Sequence, residues 1–136
     1  MNITITQAET LPVEIKELAK QAHKEGLVLV DGLIEEYENG KNRFNQPGEF
    51  LLFAYDEDRL IACGGLNQQW NENEIDTRIG RVRRFYVLPK YRKHGVGKQL
   101  LQHLEKQARA NFSALCVSID TKAAASFYQK HNYVFV

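Results

Sequence analysis

One stretch of the sequence has the residue types and the spacing to bind an anion. Residues 78–98 read RIGRVRRFYVLPKYRKHGVGK and contain eight of the 18 lysines and arginines but none of the 17 aspartates and glutamates. The rest of the chain carries ten basic and 17 acidic residues, although the formal net charge of the whole is only +1. A basic run taken alone is usually a solvated surface, but this degree of segregation favours a site for a negatively charged ligand.

The apolar residues in and after this stretch predict a strand followed by a helix. In the strand they are Val82, Phe85 and Val87, which lie among Arg and Tyr residues, and the strand ends before Pro89. In the helix they are Val96, Leu100, Leu101, Leu104 and Ala108, which recur at the helical period and predict a helix over about residues 95–109. The first N–H groups of such a helix lack intrahelical partners and the helix dipole is positive there, so a phosphate or pyrophosphate would bind well.

Two glycines, Gly95 and Gly97, would let the backbone of this loop approach a phosphate closely. The two common nucleotide-binding motifs are nevertheless absent. A Walker A loop ending at residues 97–98 requires Gly at position 92 and Ser or Thr at position 99, where the chain has Arg and Gln. A dinucleotide-binding motif that begins at Gly95 requires Gly at position 100, which is Leu100.

What the stretch resembles is the signature of the GNAT superfamily, the N-acyltransferases that use acetyl-coenzyme A (acetyl-CoA). Members carry Arg or Gln, two residues, Gly, one residue, and then Gly or Ala, directly after a strand that ends in an apolar residue and Pro. Here the signature is RKHGVG at residues 92–97, and it follows FYVLP at residues 85–89. The resemblance implies that acetyl-CoA is the cosubstrate.

Length and composition indicate one soluble domain. The 136 residues are 43% apolar, which suffices for a single core, and no apolar run approaches the roughly 18 residues of a membrane span. No secretory leader opens the chain, so we expect a cytoplasmic protein without a membrane partner. Cys63 and Cys116 each lie in an apolar, strand-like run, which predicts buried free thiols. Neither has the spacing of a metal ligand and the four histidines are scattered, so no metal site is predicted.

The remaining patterns predict further strands and helices. The other predicted strands cover residues 2–7, 50–55, 60–66, 114–119 and 133–136, and the other predicted helices cover about residues 12–26, 30–39 and 123–130. Asn132 is predicted to end the last helix in the left-handed conformation. Residues 41–48 and 67–77 are predicted loops.

This order of elements is also that of the GNAT superfamily. It implies an α/β (α+β) fold in which helices flank a mixed, mostly antiparallel central sheet that splays at its central strands. The resemblance covers nearly the whole chain, by motif over residues 78–133 and by element order before that. Members usually have a further pair of strands where this sequence stops, so we expect a single N-acetyltransferase domain over residues 1–136 without those strands.

The resemblance implies a cofactor site built largely from backbone. The main chain of residues 85–87 would line the pantetheine arm, and the Val87 N–H would donate to the thioester oxygen and stabilise the charge that develops there. Backbone N–H groups of residues 93–98 would surround the pyrophosphate, with Arg92, Lys93 and Lys98 adding charge nearby. The implied cofactor-binding residues are Phe85, Tyr86, Val87, Arg92, Lys93, His94, Gly95, Val96, Gly97, Lys98, Thr121 and Tyr128.

Tyr128 is implied as catalytic, together with the Val87 N–H. It lies in a segment, residues 124–133, that resembles the Ala-x-x-x-Tyr segment from which many members protonate the departing thiolate of coenzyme A. A thiol has a pKa of about 8.5 and a phenol of about 10, so a positioned Tyr can act as the donor. The alternative is a core Tyr whose hydroxyl is satisfied. Thr121 stands where many members have a cofactor-binding Asn, and it could offer its hydroxyl instead.

The sequence does not identify the general base. Members often have Glu at positions that here hold Arg81 and Cys116. An acceptor ammonium with a pKa near 10 costs about 4 kcal/mol to deprotonate near pH 7, so a base or a water chain is expected. Glu72, Glu74 and Asp76 in the preceding loop are the candidates.

The leading hypothesis is transfer of an acetyl group from acetyl-CoA to a primary amine by direct attack in a ternary complex, in a monomer or a homodimer. The acceptor could be a small molecule or a protein amine, and the acids of the second helix, Glu35, Glu36 and Glu38, could attract it. A catalytically weak sensor or partner module that binds coenzyme A is the alternative. Nucleic-acid binding is disfavoured, because the other surfaces are acidic and no recognition motif occurs.

Overall fold

A computed structural model describes residues 1–70 and 75–135 of the chain. In chain order its elements are β1 (Ile3–Gln7), α1 (Ile15–Lys24), α2 (Leu29–Glu38), β2 (Phe50–Asp56), β3 (Arg59–Trp70), β4 (Ile75–Val87), a 3-10 turn (Pro89–Tyr91), α3 (Val96–Ala108), β5 (Ala114–Val117) and α4 (Lys122–Lys130). The described strands form one sheet in the order β1-β2-β3-β4-β5, antiparallel except for the parallel pair β4 and β5. The predicted mixed, mostly antiparallel fold is therefore confirmed. None of the described helices is long and apolar enough to cross a membrane.

Helices cover both faces of the sheet. Two neighbouring side chains of β4 identify which helices cover which face. The Tyr86 hydroxyl reaches Glu25, just after α1, at 2.6 Å. A Cβ placed on Gly64 would meet both the Phe85 ring, at 2.8 Å, and Leu100 of α3, at 3.6 Å. Because neighbouring side chains of a strand point to opposite faces, Tyr86 marks the α1/α2 face and Phe85 marks the α3 face.

The helices bury the faces that their periodicity predicts. The buried residues of α1 are Ile15, Leu18, Ala19 and Ala22, and those of α3 are Val96, Leu100, Leu101, Leu104 and Ala108. All of these residues except Leu101 belong to the same hydrophobic core as the inner strands of the sheet. The core therefore holds α1 and α3 against opposite faces of the sheet.

The predicted loop at residues 67–77 is wrong at both ends, because β3 and β4 extend into it from either side. Two of the candidate bases, Glu72 and Glu74, lie outside the described residues. Polar residues can occupy the end of β3 because they find partners inside the protein. The buried amides of Asn67 and Asn42 exchange two hydrogen bonds, at 2.8 and 3.0 Å.

The predicted last strand is wrong for residues 133–135, which lie outside the sheet. The cap of α4 determines their course instead. Asn132 takes the predicted left-handed conformation with a φ of +75°, and its N–H donates to the carbonyl of Gln129 at 3.1 Å. The N–H of Tyr133 donates to the carbonyl of Tyr128 at 3.0 Å. These two bonds form a Schellman cap, so the Tyr133 N–H is used in the cap and not in a strand.

The two cysteines differ in burial. Both are free thiols, but only Cys63 is buried, whereas Cys116 is half-buried on the short outer strand β5. Burial raises the pKa of the Cys63 thiol to about 12. The predicted buried free thiol is thus confirmed for Cys63 and only in part for Cys116.

An opening separates the ends of β4 and β5. Only residues 79–82 of β4 pair with β5. Next along β4, Arg84 and Phe85 both lie opposite Gly64 of β3, which makes a β-bulge, and Arg84 has a left-handed φ of +56°. A bulge bends and twists its strand. Beyond it, residues 85–87 have no strand partner on the β5 side within the described part of the chain.

Candidate functional site

The backbone of Val87 faces this opening. Val87 lies opposite Ala62 of β3, and the next residue, Leu88, donates its N–H to the carbonyl of Ile61 at 2.9 Å. Successive residues of an antiparallel strand direct their N–H and C=O groups to alternate sides. The N–H and C=O of Val87 therefore point away from β3, toward the side on which β5 has ended.

The N-terminus of α3 provides a second set of unpaired backbone donors. Gly95 is the N-cap with a φ of +81°, and its carbonyl accepts the first helical hydrogen bond from Gln99 at 2.9 Å. The N–H groups of residues 96–98 consequently lack intrahelical partners. No acidic residue stands in the first turn, whereas Lys93 and Lys98 are exposed around it. The helix dipole and the lysine charges together favour an anion at this end.

Gly97 brings this helix end close to β4 and α4. A Cβ at this position would lie 3.1 Å from the Phe127 ring and 3.7 Å from the Val87 side chain. A larger residue would therefore push α4 away from α3. Gly97 thus has a packing role that the sequence does not reveal, and Phe127, which is absent from the predicted set, closes the space between the two helices.

The Arg92 side chain is bound within the protein. Its Nη1 and Nη2 donate to the two carboxylate oxygens of Glu25 at 2.7 and 2.9 Å, and its Nε donates to the Val87 carbonyl at 3.0 Å. Its guanidinium carbon also lies 5.5 Å from the centre of the Tyr86 ring. The sequence predicts that Arg92 adds charge near the phosphates, and the structure shows in addition that its guanidinium anchors the loop to the end of β4.

Glu25 is a site residue that the sequence does not reveal, because an acid just after a helix is usually solvated. Burial raises its pKa, but the hydrogen bonds from Arg92 and Tyr86 outweigh that effect and hold the pKa below its ordinary value. Burial, together with the bond to Glu25, raises the pKa of Tyr86. An ionised Glu25 therefore ties three parts of the chain together, namely the end of α1, β4 and the loop before α3.

Tyr128 lies in an aromatic cluster on the α3 face. It is 5% exposed, and its ring centre lies 6.1 Å from that of Phe85, 5.1 Å from that of Phe127 and 5.3 Å from that of Tyr133. The Tyr133 hydroxyl donates to Glu105 at 2.9 Å, whereas the Tyr128 hydroxyl has no hydrogen-bond partner among the described residues. Burial raises the pKa of Tyr128, so its phenol keeps its proton at neutral pH.

Thr121 is the N-cap of α4, the helix that carries Tyr128. Its Oγ1 accepts a hydrogen bond from the N–H of Ala124 at 3.0 Å. The hydroxyl can still donate its own proton. Thr121 therefore caps the helix, and its hydroxyl proton stays available for the hydrogen bond to a cofactor that the family resemblance implies.

Of the three candidate bases, the structure describes Asp76, and its carboxylate is already engaged. Asp76 accepts hydrogen bonds from the Arg78 guanidinium at 3.1 and 3.2 Å, and these bonds lower the pKa of Asp76. Cys116, at a position where members often have Glu, donates to Gln69 at 3.3 Å, and burial raises its pKa. Neither group is a strong base at neutral pH.

The amino-acid sequence of this chain is similar to those of known proteins. The sequence model of the Acetyltransferase (GNAT) family matches residues 14–133. The uncharacterized N-acetyltransferase YsnE of Bacillus subtilis (strain 168) is 33% identical over 89 residues, which are 65% of this chain and 54% of that protein. The chain therefore spans about half the length of this curated relative.

Solved structures share the fold. An acetyltransferase candidate from Exiguobacterium sp. 255-15 is 28% identical and superposes with a TM-score of 0.86 over 100% of this chain and 87% of that chain. A predicted acetyltransferase from Clostridium acetobutylicum, whose crystal structure was determined with acetyl-CoA, is 18% identical with a TM-score of 0.71 over 98% of this chain and 91% of that chain. Glucosamine-6-phosphate N-acetyltransferase from Arabidopsis thaliana is 14% identical with a TM-score of 0.66 over 100% of this chain and 94% of that chain. The last two likenesses concern the fold alone.

Proposed function

Because this chain belongs to the GNAT family of acetyltransferases, we propose that it transfers the acetyl group of acetyl-CoA to a primary amine by direct attack in a ternary complex. The opening between β4 and β5 carries the proposal, because the Val87 backbone points into it and the α3 N-terminus lies beside it. A pantetheine arm is a chain with amide groups, so it can pair with the free backbone edge of residues 85–87 much as a strand would.

Val87 supplies the proposed donor to the thioester carbonyl. That oxygen gains negative charge as the amine attacks, and a backbone N–H held by a sheet can stabilise the charge without having to reorient. The bond from Arg92 to the Val87 carbonyl restrains the same end of the strand. A donor of this kind typically contributes about 10²- to 10³-fold to turnover.

The α3 N-terminus is the proposed pyrophosphate site. Its three free N–H groups, at residues 96–98, would donate to phosphate oxygens, and Lys93 and Lys98 would add charge. Because both lysines are exposed, their contribution would be screened by salt. The Arg92 side chain would act indirectly, by holding the loop in place.

Tyr128 is the proposed proton donor to the departing thiolate. Burial raises its pKa, which makes it a weaker acid but keeps it protonated. The same apolar surroundings would also raise the pKa of a thiol that leaves next to it, as burial does for Cys63, whose pKa rises to about 12. Burial would therefore shift the pKa of the donor and that of the leaving thiol in the same direction, which favours general acid catalysis.

One observation favours a second candidate, a module that binds coenzyme A without turnover. Asp76, a predicted base, is held by Arg78 and has a lowered pKa. Acetyl transfer then requires that the amine lose its proton to water or to another group. The transferase and the binding module would both bind the cofactor, but only the transferase would turn over.

Calorimetry with acetyl-CoA, followed by a thiol-release assay with a panel of small amines, tests the proposal. We expect binding, thiol release that depends on the amine, and a product whose mass has increased by one acetyl group. Binding without amine-dependent release from any member of the panel would favour the second candidate. Absence of acetyl-CoA binding by the folded protein would overturn both.

A further inference from the structure

Three arginines cluster on the α1/α2 face of β4, next to the point where β5 separates from it. Gly80 points to the α3 face, because a Cβ placed on it would lie 3.1 Å from Phe112, which follows α3. Arg81 and Arg83, one and three positions further along the strand, therefore point to the α1/α2 face. Arg84 reaches α2 on that face as well. The cluster thus lies on the side of the sheet opposite to α3.

This cluster has more positive than negative charge among the described residues. Arg84 binds the Glu36 carboxylate at 2.5 Å, and Arg83 lies 3.7 Å from the same oxygen. Arg81 instead donates to the neutral hydroxyl of Ser118, directly after β5. The charge of a second carboxylate, that of Glu49, also acts on Arg83, and Glu49 accepts hydrogen bonds from the backbone N–H groups of Gln46 and Gln68. Three guanidinium groups therefore face two carboxylates. Glu36, which the sequence suggests could attract a cationic amine, is already paired.

Arg84 is fixed as part of the scaffold. It has a φ of +56°, and its Nη1 lies so close to α2 that a Cβ on Gly32 would be 2.6 Å from it. The same Nη1 donates to the carbonyl of Leu29 at 3.4 Å, and its buried Nε has no hydrogen-bond partner among the described residues. Backbone strain of this kind occurs at functional sites, where surrounding contacts hold it. The positive charge of Arg84 is consequently a fixed feature of this face.

Arg83 has unused hydrogen-bonding capacity. Its side chain is only 30% exposed, and its contact with Glu36, at 3.7 Å, is an ion pair that is too long for a hydrogen bond. Burial and the neighbouring charge of Arg84 lower the pKa of Arg83. A bound anion would accept hydrogen bonds from Arg83 and reduce the repulsion between the two guanidinium groups.

On the premise of the acetyl transfer proposed above, we propose that the acceptor amine also carries an anionic group, a carboxylate or a phosphate, that Arg83 binds together with Arg81. Both arginines lie on the same strand as Val87, and Arg83 precedes it by four residues, at most about 13 Å of extended chain. The flexible side chain of Arg83 shortens this span, so a small acceptor can reach both groups. Guanidinium groups bind carboxylates and phosphates with the same two-pronged geometry, which makes the two anions one class of ligand here.

Amines that differ only in the anionic group test this inference. The first set is γ-aminobutyrate, butylamine and putrescine, and the second is O-phosphoethanolamine and ethanolamine. We expect a kcat/KM about ten- to a hundredfold higher for the anionic member of at least one set. A preference in the first set would identify a carboxylate as the anionic group, and a preference in the second set would identify a phosphate. Equal or higher kcat/KM for the amines without an anionic group in both sets would overturn the inference and leave acetyl transfer intact.

Two arginine variants locate the effect. Arg83→Gln should reduce the ratio of kcat/KM for the anionic amine to kcat/KM for the matched amine without an anionic group to within about threefold. Arg78→Gln is the matched control, because Arg78 lies on the same strand with its side chain 80% exposed and bound to Asp76. It should keep the full preference. A preference that persists in Arg83→Gln would overturn the assignment.

Failure of the proposed function is distinguishable from failure of this inference. If acetyl-CoA binds and no amine of the panel is acetylated, the transferase proposal fails. Calorimetric titration of γ-aminobutyrate and O-phosphoethanolamine into the protein saturated with coenzyme A then decides the inference. Binding that weakens at least about tenfold in Arg83→Gln but not in Arg78→Gln would support it, and no binding of either compound would overturn it.

Discussion

Replacing Tyr128 by Phe tests the proposed chemistry with a small structural change. The substitution keeps the ring that packs against Phe85 and Phe127 and removes only the hydroxyl. That hydroxyl has no hydrogen-bond partner among the described residues, so its removal leaves none of them unsatisfied. We therefore expect the free energy of unfolding to change by less than about 1 kcal/mol.

The effect on turnover of Tyr128→Phe should be much larger. A hydrogen bond to a charged group contributes about 1.5–3 kcal/mol, which is about 10- to 150-fold in rate. General acid catalysis typically contributes about 10²- to 10⁴-fold. The turnover number should accordingly fall about a hundredfold, while the Kd for acetyl-CoA changes by less than about threefold.

Thiol release in a single turnover measures this step without interference from slow product release. Tyr133→Phe is the matched control, because its ring lies 5.3 Å from that of Tyr128 and its hydroxyl is bound to Glu105. This control should lose about 1 kcal/mol of stability and keep its turnover. If Tyr128→Phe retains the wild-type single-turnover rate, another group protonates the thiolate and Tyr128 is structural.

The pH dependence gives an independent check on Tyr128. A general acid must be protonated to act, and burial raises the pKa of Tyr128 above the ordinary value of about 10. Turnover should therefore show no loss on the basic side up to about pH 10. A basic limb with a midpoint near pH 8 or 9 that disappears in Tyr128→Phe would contradict the raised pKa.

Three further substitutions test the rest of the site. Gly95→Ala should raise the KM for acetyl-CoA in steady-state assays, because a φ of +81° strains an L residue by about 1–2 kcal/mol; an unchanged KM would count against the loop. Lys98→Ala should weaken acetyl-CoA binding at low salt and flatten its salt dependence in calorimetry, and parallel salt curves for the two proteins would refute this role. The pKa of Glu25 is lowered on folding, so its stabilisation is present above about pH 4.3 and is lost as the pH falls through the folded value. Glu25→Gln should cost about 1 kcal/mol in chemical denaturation at pH 7 and little at pH 3, and an equal cost at both pH values would disprove the linkage.

Local patterns were sufficient to predict the elements that carry the site. The period of the apolar residues from Val96 to Ala108 placed α3, and its N-terminus coincides with Gly95 as expected. These signals are local because a helix face and its cap involve residues only a few positions apart. The predicted loop at residues 67–77 is wrong at its ends because the partners that allow polar residues in β3 lie elsewhere in the chain. The first residue of this predicted loop, Asn67, has its side-chain amide satisfied by Asn42, which is distant in sequence.

Contacts between distant parts of the chain could not be predicted from one sequence. Arg92 and Glu25 are 67 positions apart, and no local pattern connects them. The sequence predicts that Arg92 adds charge near the phosphates, but it gives no sign that the nitrogens of this side chain are also bound to Glu25 and Val87. Phe127 is a similar case, because only the folded chain places its ring against Gly97.

The bulge at Arg84 explains why the two faces of β4 have different chemistry. In a regular strand, adjacent side chains point to opposite faces, yet Arg83 and Arg84 both approach Glu36 on the α1/α2 face. The extra residue opposite Gly64 permits this and shifts the alternation of every residue that follows. Val87 consequently points its side chain to α3 and its N–H into the opening. A single inserted residue thus accounts for both the proposed thioester donor and the paired arginines on the opposite face.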